Sequence, residues 1–197
     1  MSARRFETRE SWLQAGVQLL TPVFTEQGHT VPPVRVSVGW SGSGQRSRVI
    51  GECWPTARAD DGVNQVFIVP VLTDAVRVLD VLTHELVHAV DDCKHGHGRE
   101  FKEIALSVGL VGPKMREAHA GEQLKERLQA LATELGAYPH ARLSPRAPRT
   151  SNPNPPRAKC PQCDYRLCIP KRFLHMGPPL CPEHQVPMET MGDWDGW

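Results

Sequence analysis

One stretch constrains this chain more than any other: at residues 81–90 two histidines lie four residues apart within an apolar helical pattern. Side chains four residues apart project from the same face of an α-helix, so His84 and His88 can bind one metal ion. Glu85 lies about a quarter turn away, where it can accept a proton from a water molecule but is badly placed to bind the same ion. The pattern predicts a catalytic zinc site on this helix.

The other face of this helix is apolar, and its spacing is that of a helix buried against a core. We predict that Asp74 caps the helix, because the apolar ladder starts directly after it. The ladder consists of Ala75, Val78, Leu79, Leu82, Leu86 and Ala89. A buried helix of this kind would give the metal a rigid support.

A catalytic zinc needs a third protein ligand and a fourth position open to water. Two further histidines follow almost at once, and we predict His97 as the ligand because a second amphipathic helix begins just after it. His95 is the rival, and spacing does not exclude the carboxylates of Glu100 or Glu103. A thiolate from Cys93 would close the site against water, so we expect this side chain to lie outside the ligand set.

These two motifs resemble those of the SprT-like metallopeptidase family. The first is His-Glu-Leu-Val-His-Ala at residues 84–89, and the second is Gly-His-Gly-Arg-Glu-Phe at residues 96–101. The resemblance extends from about Phe6 to about Val111 and includes a C-terminal zinc ribbon, which is common in the family. The segment between the two motifs is shorter here than in the large eukaryotic members.

The resemblance implies a zincin-like α+β fold in which His84, His88 and His97 bind zinc and Glu85 is the catalytic base. The family includes proteases that degrade proteins covalently trapped on DNA. Small members that resemble this chain occur in bacteriophage genomes, so the implied location is the cytoplasm of a bacterial or phage-infected cell. An absence of long apolar runs and of an apolar segment near Met1 also predicts a cytoplasmic protein without a membrane span.

A second metal site is predicted near the end of the chain. Four of the six cysteines lie in the last forty residues, beside prolines and histidines, which favours metal binding over disulfides. Two short segments each offer a pair of metal ligands three positions apart, Cys160 with Cys163 and Cys181 with His184. Four such ligands form a closed tetrahedral site, which predicts a structural zinc. Cys168 and His175 are spare, and Cys168 is near enough in sequence to replace one of these ligands.

Positive charge is concentrated in the same part of the chain. Residues 139–197 carry eight basic and five acidic side chains, a net charge of +3, whereas residues 1–138 carry a net charge of −2. Near these ligand pairs, cations alternate with the aromatic residues Tyr165 and Phe173, a mixture that can bind a phosphate backbone and stack bases. We therefore predict contacts to DNA, single-stranded or damaged, from Lys159, Arg166, Lys171 and Arg172; the alternative is ordinary ribbon surface.

The remaining pattern predicts an α+β fold: a helix capped by Thr8 and bent or ended by Pro22, then three strands, the metal helix and two further helices. The predicted strands span residues 34–40, 49–54 and 65–69, with a Ser-Gly-Ser-Gly turn at 41–44. We divide the chain into a metallopeptidase domain at 1–138, a linker rich in proline and arginine at 139–157, a zinc ribbon at 158–190 and a tail at 191–197.

The expected function is that of a zinc-dependent endopeptidase acting on proteins bound or crosslinked to DNA. Glu85 would activate the water and pass its proton to the leaving amine. Tyr138 and His119 are two candidates for stabilising the carbonyl oxygen, and Asp91 is either solvated or the partner of a ligand histidine. The alternative is a non-catalytic adaptor whose ribbon binds nucleic acid while the histidine helix holds a merely structural metal.

Overall fold

The computed structural model describes residues 6–40, 49–144 and 154–194. The chain divides into two compact units, Met1–Arg146 and Ala147–Trp197. The predicted turn at 41–44, the linker residues 145–153 with Arg146 and Arg149, and the last three residues of the predicted tail lie outside the described residues.

The first unit contains four α-helices, two short 3-10 helices and five short strands within the described residues. The helices are α1 (Arg9–Thr25), α2 (Ala75–Val90), α3 (Arg99–Ser107) and α4 (Glu122–Leu135). The strands are β1 (Val34–Val38), β2 (Gly51–Trp54), β3 (Asn64–Ile68), β4 (Leu110–Val111) and β5 (His119–Ala120). The α+β class predicted from the sequence is confirmed, and the three main strands lie within two residues of their predicted bounds.

The main sheet has the order β1-β3-β2, in which β1 is parallel and β2 antiparallel to β3. Strand β2 is therefore an edge of the described sheet, and it packs against α2, the helix with the two histidines. Residues of β3 alternate between buried and half-buried positions, as the sequence pattern predicts for a strand with one face on the core.

Helix α1 begins at a capping box in which the Thr8 hydroxyl accepts a hydrogen bond from the Ser11 amide at 3.1 Å. It continues through Pro22 to Thr25, so the proline does not end the helix. Gly16 faces α2, where an added Cβ would lie 3.3 Å from side-chain carbons of both Leu79 and Leu82. This small residue permits the close packing of α1 on α2.

Helix α2 occupies the centre of the first unit and packs against α1, α3 and α4 as well as the sheet. The Asp74 side chain accepts a hydrogen bond from the Arg77 amide at 2.7 Å, as predicted for its cap. The predicted apolar ladder is buried from Val78 to Ala89. No helix in the described ranges is both long enough and apolar enough to span a membrane.

The first unit extends beyond the predicted boundary at residue 138. The buried guanidinium of Arg9 donates hydrogen bonds to the carbonyls of Pro139 at 2.8 Å, Ala141 at 3.2 Å and Pro70 at 2.9 Å. The amide of Leu143 also donates to the carbonyl of Pro70 at 3.2 Å. Residues 139–144 are therefore held on the first unit rather than forming the start of a linker.

The second unit is a three-stranded antiparallel sheet in the order β7-β6-β8, with β6 at Arg157–Lys159, β7 at Arg166–Cys168 and β8 at Glu189–Met191. A 3-10 helix spans Lys171–Met176. The indole of Trp194 donates a hydrogen bond to the carbonyl of Arg157 at 2.9 Å. This unit therefore includes residues beyond 190, which the sequence pattern placed in the tail.

Candidate metal centres

Three histidines of the first unit converge on one point. The Nε2 atom of His97 lies 3.2 Å from the Nε2 atoms of both His84 and His88. Nitrogens that bind one tetrahedral zinc at its usual bond length are separated by about 3.3 Å. The single ring proton of a neutral histidine cannot satisfy both contacts, whereas one cation would satisfy all three nitrogens. The cluster can therefore hold a metal ion.

The turn after α2 decides which later histidine reaches this point. Asp92 and Cys93 have positive φ angles of 50° and 56°, and Gly96 has one of 54°. The Asp92 carboxylate fixes the turn against the sheet by accepting hydrogen bonds from the amide of Thr56 at 2.9 Å and the side chain of Asn64 at 3.1 Å. A left-handed turn of this kind is not encoded in an apolar periodicity.

Asp91 selects between the two rival histidines. Its carboxylate accepts hydrogen bonds from the amide of His95 at 2.9 Å and binds the Nδ1 atom of the same residue at 2.6 Å. This contact raises the pKa of His95 and holds its ring outside the cluster. The structure thus brings His97, and not His95, to the other two ligands. Glu103 is likewise engaged elsewhere, by the Arg99 guanidinium at 2.8 Å.

Phe101 supports the three rings from behind. This side chain is fully buried, and its ring centroid lies 4.4 Å from that of His88, 4.9 Å from His97 and 5.1 Å from His84. His84 also hydrogen-bonds the backbone of Ala118, which leaves its Nε2 atom directed at the cluster. The ligand orientation is therefore set by the fold itself.

The protonation of the cluster suits metal binding. Burial lowers the pKa of His84 to about 4 and the pKa of His88 to about 3. Burial also lowers the pKa of His97, with a further contribution from the positive charge of Arg116. The imidazoles are therefore neutral at pH 7, which leaves a lone pair on each ring for a cation.

Glu85 lies in the same cavity, which has a volume of about 770 Å³ and is also lined by the three histidines and by residues 49–53 at strand β2. The side chain of Glu85 is only 5% exposed. Burial raises its pKa to about 8, and the neighbouring Cys93 thiol and Glu52 carboxylate add to the effect. A carboxylate of this kind can take up and return a proton near neutral pH.

Neither predicted stabiliser of the carbonyl oxygen lines this cavity. Tyr138 packs between Trp12, at a ring distance of 4.9 Å, and the Arg9 guanidinium, at 4.7 Å. His119 lies on β5 and its ring faces the carbonyl of Glu117 at 3.4 Å. Two arginines that sequence reasoning missed line the cavity instead: Arg77, which pairs with Asp80, and Arg116.

The thiol of Cys93 also stays outside the histidine cluster. Its sulfur donates to the carbonyl of Cys53 at 3.4 Å, and both residues line the wall of the cavity. In the described residues the histidine group therefore offers three ligand atoms and has no thiolate as a fourth.

The second cluster joins the four predicted residues of the C-terminal unit. The sulfurs of Cys163 and Cys181 are 3.9 Å apart, and the Nδ1 atom of His184 lies 3.6 Å from the sulfur of Cys181 and 3.8 Å from that of Cys160. A tetrahedral zinc would place two sulfurs about 3.8 Å apart and a sulfur and a nitrogen about 3.6 Å apart. The spare residue Cys168 is exposed and does not belong to the cluster.

The hydrophobic core of this unit is small. Its buried apolar residues are Ala158, Cys160, Cys181 and Met188, so two of the four are themselves candidate ligands. Small domains with a core of this size generally depend on a metal or on disulfides, and all of the cysteines in the chain are free. The cluster therefore has the chemistry and the setting of a structural metal site.

The four predicted DNA contacts fall into two groups. Lys159 and Arg166 both lie 3.5 Å from the carboxylate of Asp164, which offsets part of their charge. Lys171 and Arg172 lie on the 3-10 helix, where the Arg172 guanidinium stacks over the ring of Phe173 at 4.7 Å. Phe173 itself is 42% exposed.

We expect two zinc ions per chain in the purified protein, measured by mass spectrometry of the metal content. Cys160→Ser should remove one ion, because it takes a thiolate from the four-ligand cluster only. Cys168→Ser is the matched control and should retain both ions. A single ion in the intact protein that disappears with Cys160→Ser would leave the histidine cluster without a metal.

Zinc affinity can distinguish His97 from His95 as the third ligand. His97→Ala should lower the zinc affinity of the histidine centre by more than the roughly 10–100-fold that is typical of losing an outer-shell partner. His95→Ala should leave this centre occupied, because His95 contacts Asp91 instead. Competition with a chelator would measure both affinities, and the reverse order of effects would show that His95 is the ligand.

No protein-family model, curated protein or solved structure matches this chain. What the chain binds is therefore inferred from its own donor atoms, their distances and their burial.

Proposed function

We propose that this chain is a zinc-dependent endopeptidase with a zincin-like, SprT-like catalytic unit that acts on proteins bound or crosslinked to DNA. One observation carries the proposal: three neutral imidazole nitrogens converge in a cavity that also contains a buried carboxylate, Glu85, on the same helix. Three nitrogen ligands leave a fourth tetrahedral position for water, which distinguishes a catalytic zinc site from a structural one.

When bound, zinc supplies Lewis acidity, which makes water a nucleophile at neutral pH and polarises a carbonyl group. Glu85 accepts a proton from the attacking water as the oxygen bonds to the carbonyl carbon. It then donates this proton to the amide nitrogen as the carbon–nitrogen bond breaks. The second proton of the water passes to the released amine, so the products are an ammonium group and a carboxylate. The raised pKa of Glu85 supports both transfers, because a base with a pKa near the working pH can also return its proton.

Strand β2 is the proposed support for the substrate. It forms an edge of the described sheet, and residues 49–53 line the cavity beside Glu85. An extended peptide can add to such an edge through main-chain hydrogen bonds, which recognise the backbone rather than a particular sequence. This geometry favours cleavage of extended, unfolded segments of protein substrates.

Arg116 is the proposed partner of the carbonyl oxygen during bond cleavage. It lines the cavity close enough to His97 to lower the pKa of that ring. Arg77 lines the same cavity, but its guanidinium is paired with the carboxylate of Asp80. A fixed positive charge near the site where negative charge develops lowers the energy of the transition state.

The C-terminal unit is proposed to recruit DNA. Residues 147–197, which form this unit, carry six basic and five acidic side chains, a net charge of +1. The stacked pair of Arg172 and Phe173 offers both a cation and an exposed aromatic ring. Exposed aromatic rings stack bases of single strands while cations bind the backbone. We place the stronger contacts at Lys171 and Arg172, because the Arg172 guanidinium stacks over an exposed ring on the same 3-10 helix.

Glu85→Gln tests the proposed base. The amide has nearly the same size as the carboxylate but cannot accept the proton, so the rate of cleavage of an unfolded protein should fall by at least about 100-fold. Glu103→Gln, on the exposed side of α3, is the control and should cleave at the wild-type rate. Zinc content should be unchanged in both variants.

An active Glu85→Gln variant would rule out the proposed mechanism. If the wild-type protein binds two zinc ions and single-stranded DNA but cleaves no protein, the adaptor function described above becomes the better interpretation.

The DNA contacts can be tested by removing two cations at a time. Lys171→Ala with Arg172→Ala should weaken binding to single-stranded DNA and reduce the slope of log affinity against log salt by about 1.4, because each lost phosphate contact contributes about 0.7. Lys102→Ala with Lys125→Ala removes the same charge from the first unit and should have little effect. Fluorescence anisotropy over a salt series would measure both slopes, and equal slopes for the two variants would contradict the assignment.

A further inference from the structure

A side chain on the first residue of β2 would overlap Glu85 in its present position. A Cβ atom added to Gly51 would lie 2.5 Å from the Oε1 atom of Glu85 and 2.9 Å from its Cγ atom. It would also lie 2.6 Å from the Cγ1 atom of Val81, one turn earlier on α2. The carboxylate of Glu85 therefore occupies the space that a side chain at position 51 would fill.

The backbone at this position is held from the sheet side. Gly51 pairs with Ile68 of β3, and the amide of Val69 donates a hydrogen bond to the carbonyl of Ile50 at 3.1 Å. Ile68 is fully buried, so the strand that pairs with Gly51 is anchored in the core. An added methyl group at residue 51 would therefore be held against α2 by the pairing of β2 with β3.

The backbone of α2 is held equally firmly. Thr83 and Leu86, the residues that flank His84 and Glu85, are fully buried. The group that can move is the end of the Glu85 side chain, since it turns about its own bonds at little cost. A side chain at position 51 would therefore displace the carboxylate while leaving the fold in place.

We propose that Gly51 is a positioning residue, whose missing side chain keeps the Glu85 carboxylate in its place between β2 and α2. The inference rests on the proposed function, in which this carboxylate transfers the proton. The inference also connects Glu85 to the substrate, because Glu85 packs against β2, the strand proposed to bind the peptide. Displacing a base by about 1 Å commonly costs about 100-fold in rate.

Gly51→Ala tests this role, and Gly39→Ala is its matched control. Gly39 follows β1 in the same sheet, and a Cβ atom added there meets no atom within 4 Å. We expect Gly51→Ala to lower kcat for an unfolded protein substrate by about 100-fold, with KM changed by less than about threefold. Both variants should retain two zinc ions, and Gly39→Ala should cleave at the wild-type rate.

A double-mutant comparison separates positioning from a general loss of structure. Glu85→Gln should lower kcat by its full factor in the Gly39→Ala protein but by less than about threefold in the Gly51→Ala protein, because the displaced carboxylate no longer acts there. Full additivity of Gly51→Ala and Glu85→Gln would overturn the proposal, as would an unchanged kcat in Gly51→Ala.

If Gly51→Ala does not fold, we expect the cause to be a second overlap, that of its Cβ atom with the Cγ1 atom of Val81. In that case the double variant Gly51→Ala with Val81→Ala removes this second overlap and leaves only the one with Glu85. The loss in kcat should persist in this variant relative to Val81→Ala alone, and a recovery to the Val81→Ala rate would overturn the proposal.

A crystal structure of Gly51→Ala, or of its Val81→Ala double variant, provides a test that needs no activity. The Glu85 carboxylate should be displaced by about 1 Å or more relative to wild type, and an unmoved carboxylate would overturn the proposal. Absence of cleavage by the wild-type protein would instead contradict the proposed function, and this crystallographic test would still decide the role of Gly51.

Discussion

The packing of α2 is the interaction on which the rest of the first unit depends. This helix is covered by α1, α3, α4 and the sheet, yet it carries four buried polar side chains, Asp80, Thr83, His84 and Glu85. Burying such groups costs free energy unless each has a partner. Thr83 bonds the Leu79 carbonyl at 2.8 Å, and Asp80 accepts the Ala120 amide at 2.7 Å. Burial of the apolar ladder offsets the remaining cost of burying these polar groups. The core can therefore hold the histidines and Glu85 at its edge.

Local patterns were sufficient to predict the helices, the main strands and the candidate ligands, because periodicity and short motifs act over a few residues. They favoured His97 over His95 but could not exclude His95, since its exclusion depends on the left-handed turn and on the hydrogen bonds made by Asp91. The end of the first unit was also missed. It depends on Arg9 reaching Pro139, a contact between residues 130 positions apart that no window of sequence contains.

The space between Gly51 and Glu85 is another feature that the sequence could not reveal. Gly51 reads as an ordinary glycine in a strand, and only the three-dimensional arrangement of β2 and α2 shows what its missing Cβ leaves free. The same holds for Arg116, which lies in a short 3-10 helix without a recognisable motif but lines the cavity. Residues that shape a site across two elements carry no signal in either element alone.

The two centres differ in how their ligands compete with protons. Because the pKa values of His84 and His88 are low, these rings are already neutral near pH 7, and a cation entering there releases no protons from them. The thiols of the C-terminal cluster must each lose a proton to become ligands. A metal ion therefore competes with thiol protons at the C-terminal cluster, whereas at His84 and His88 it competes with ring protons mainly under acid conditions. The two candidate metal clusters of this chain would therefore respond differently to pH.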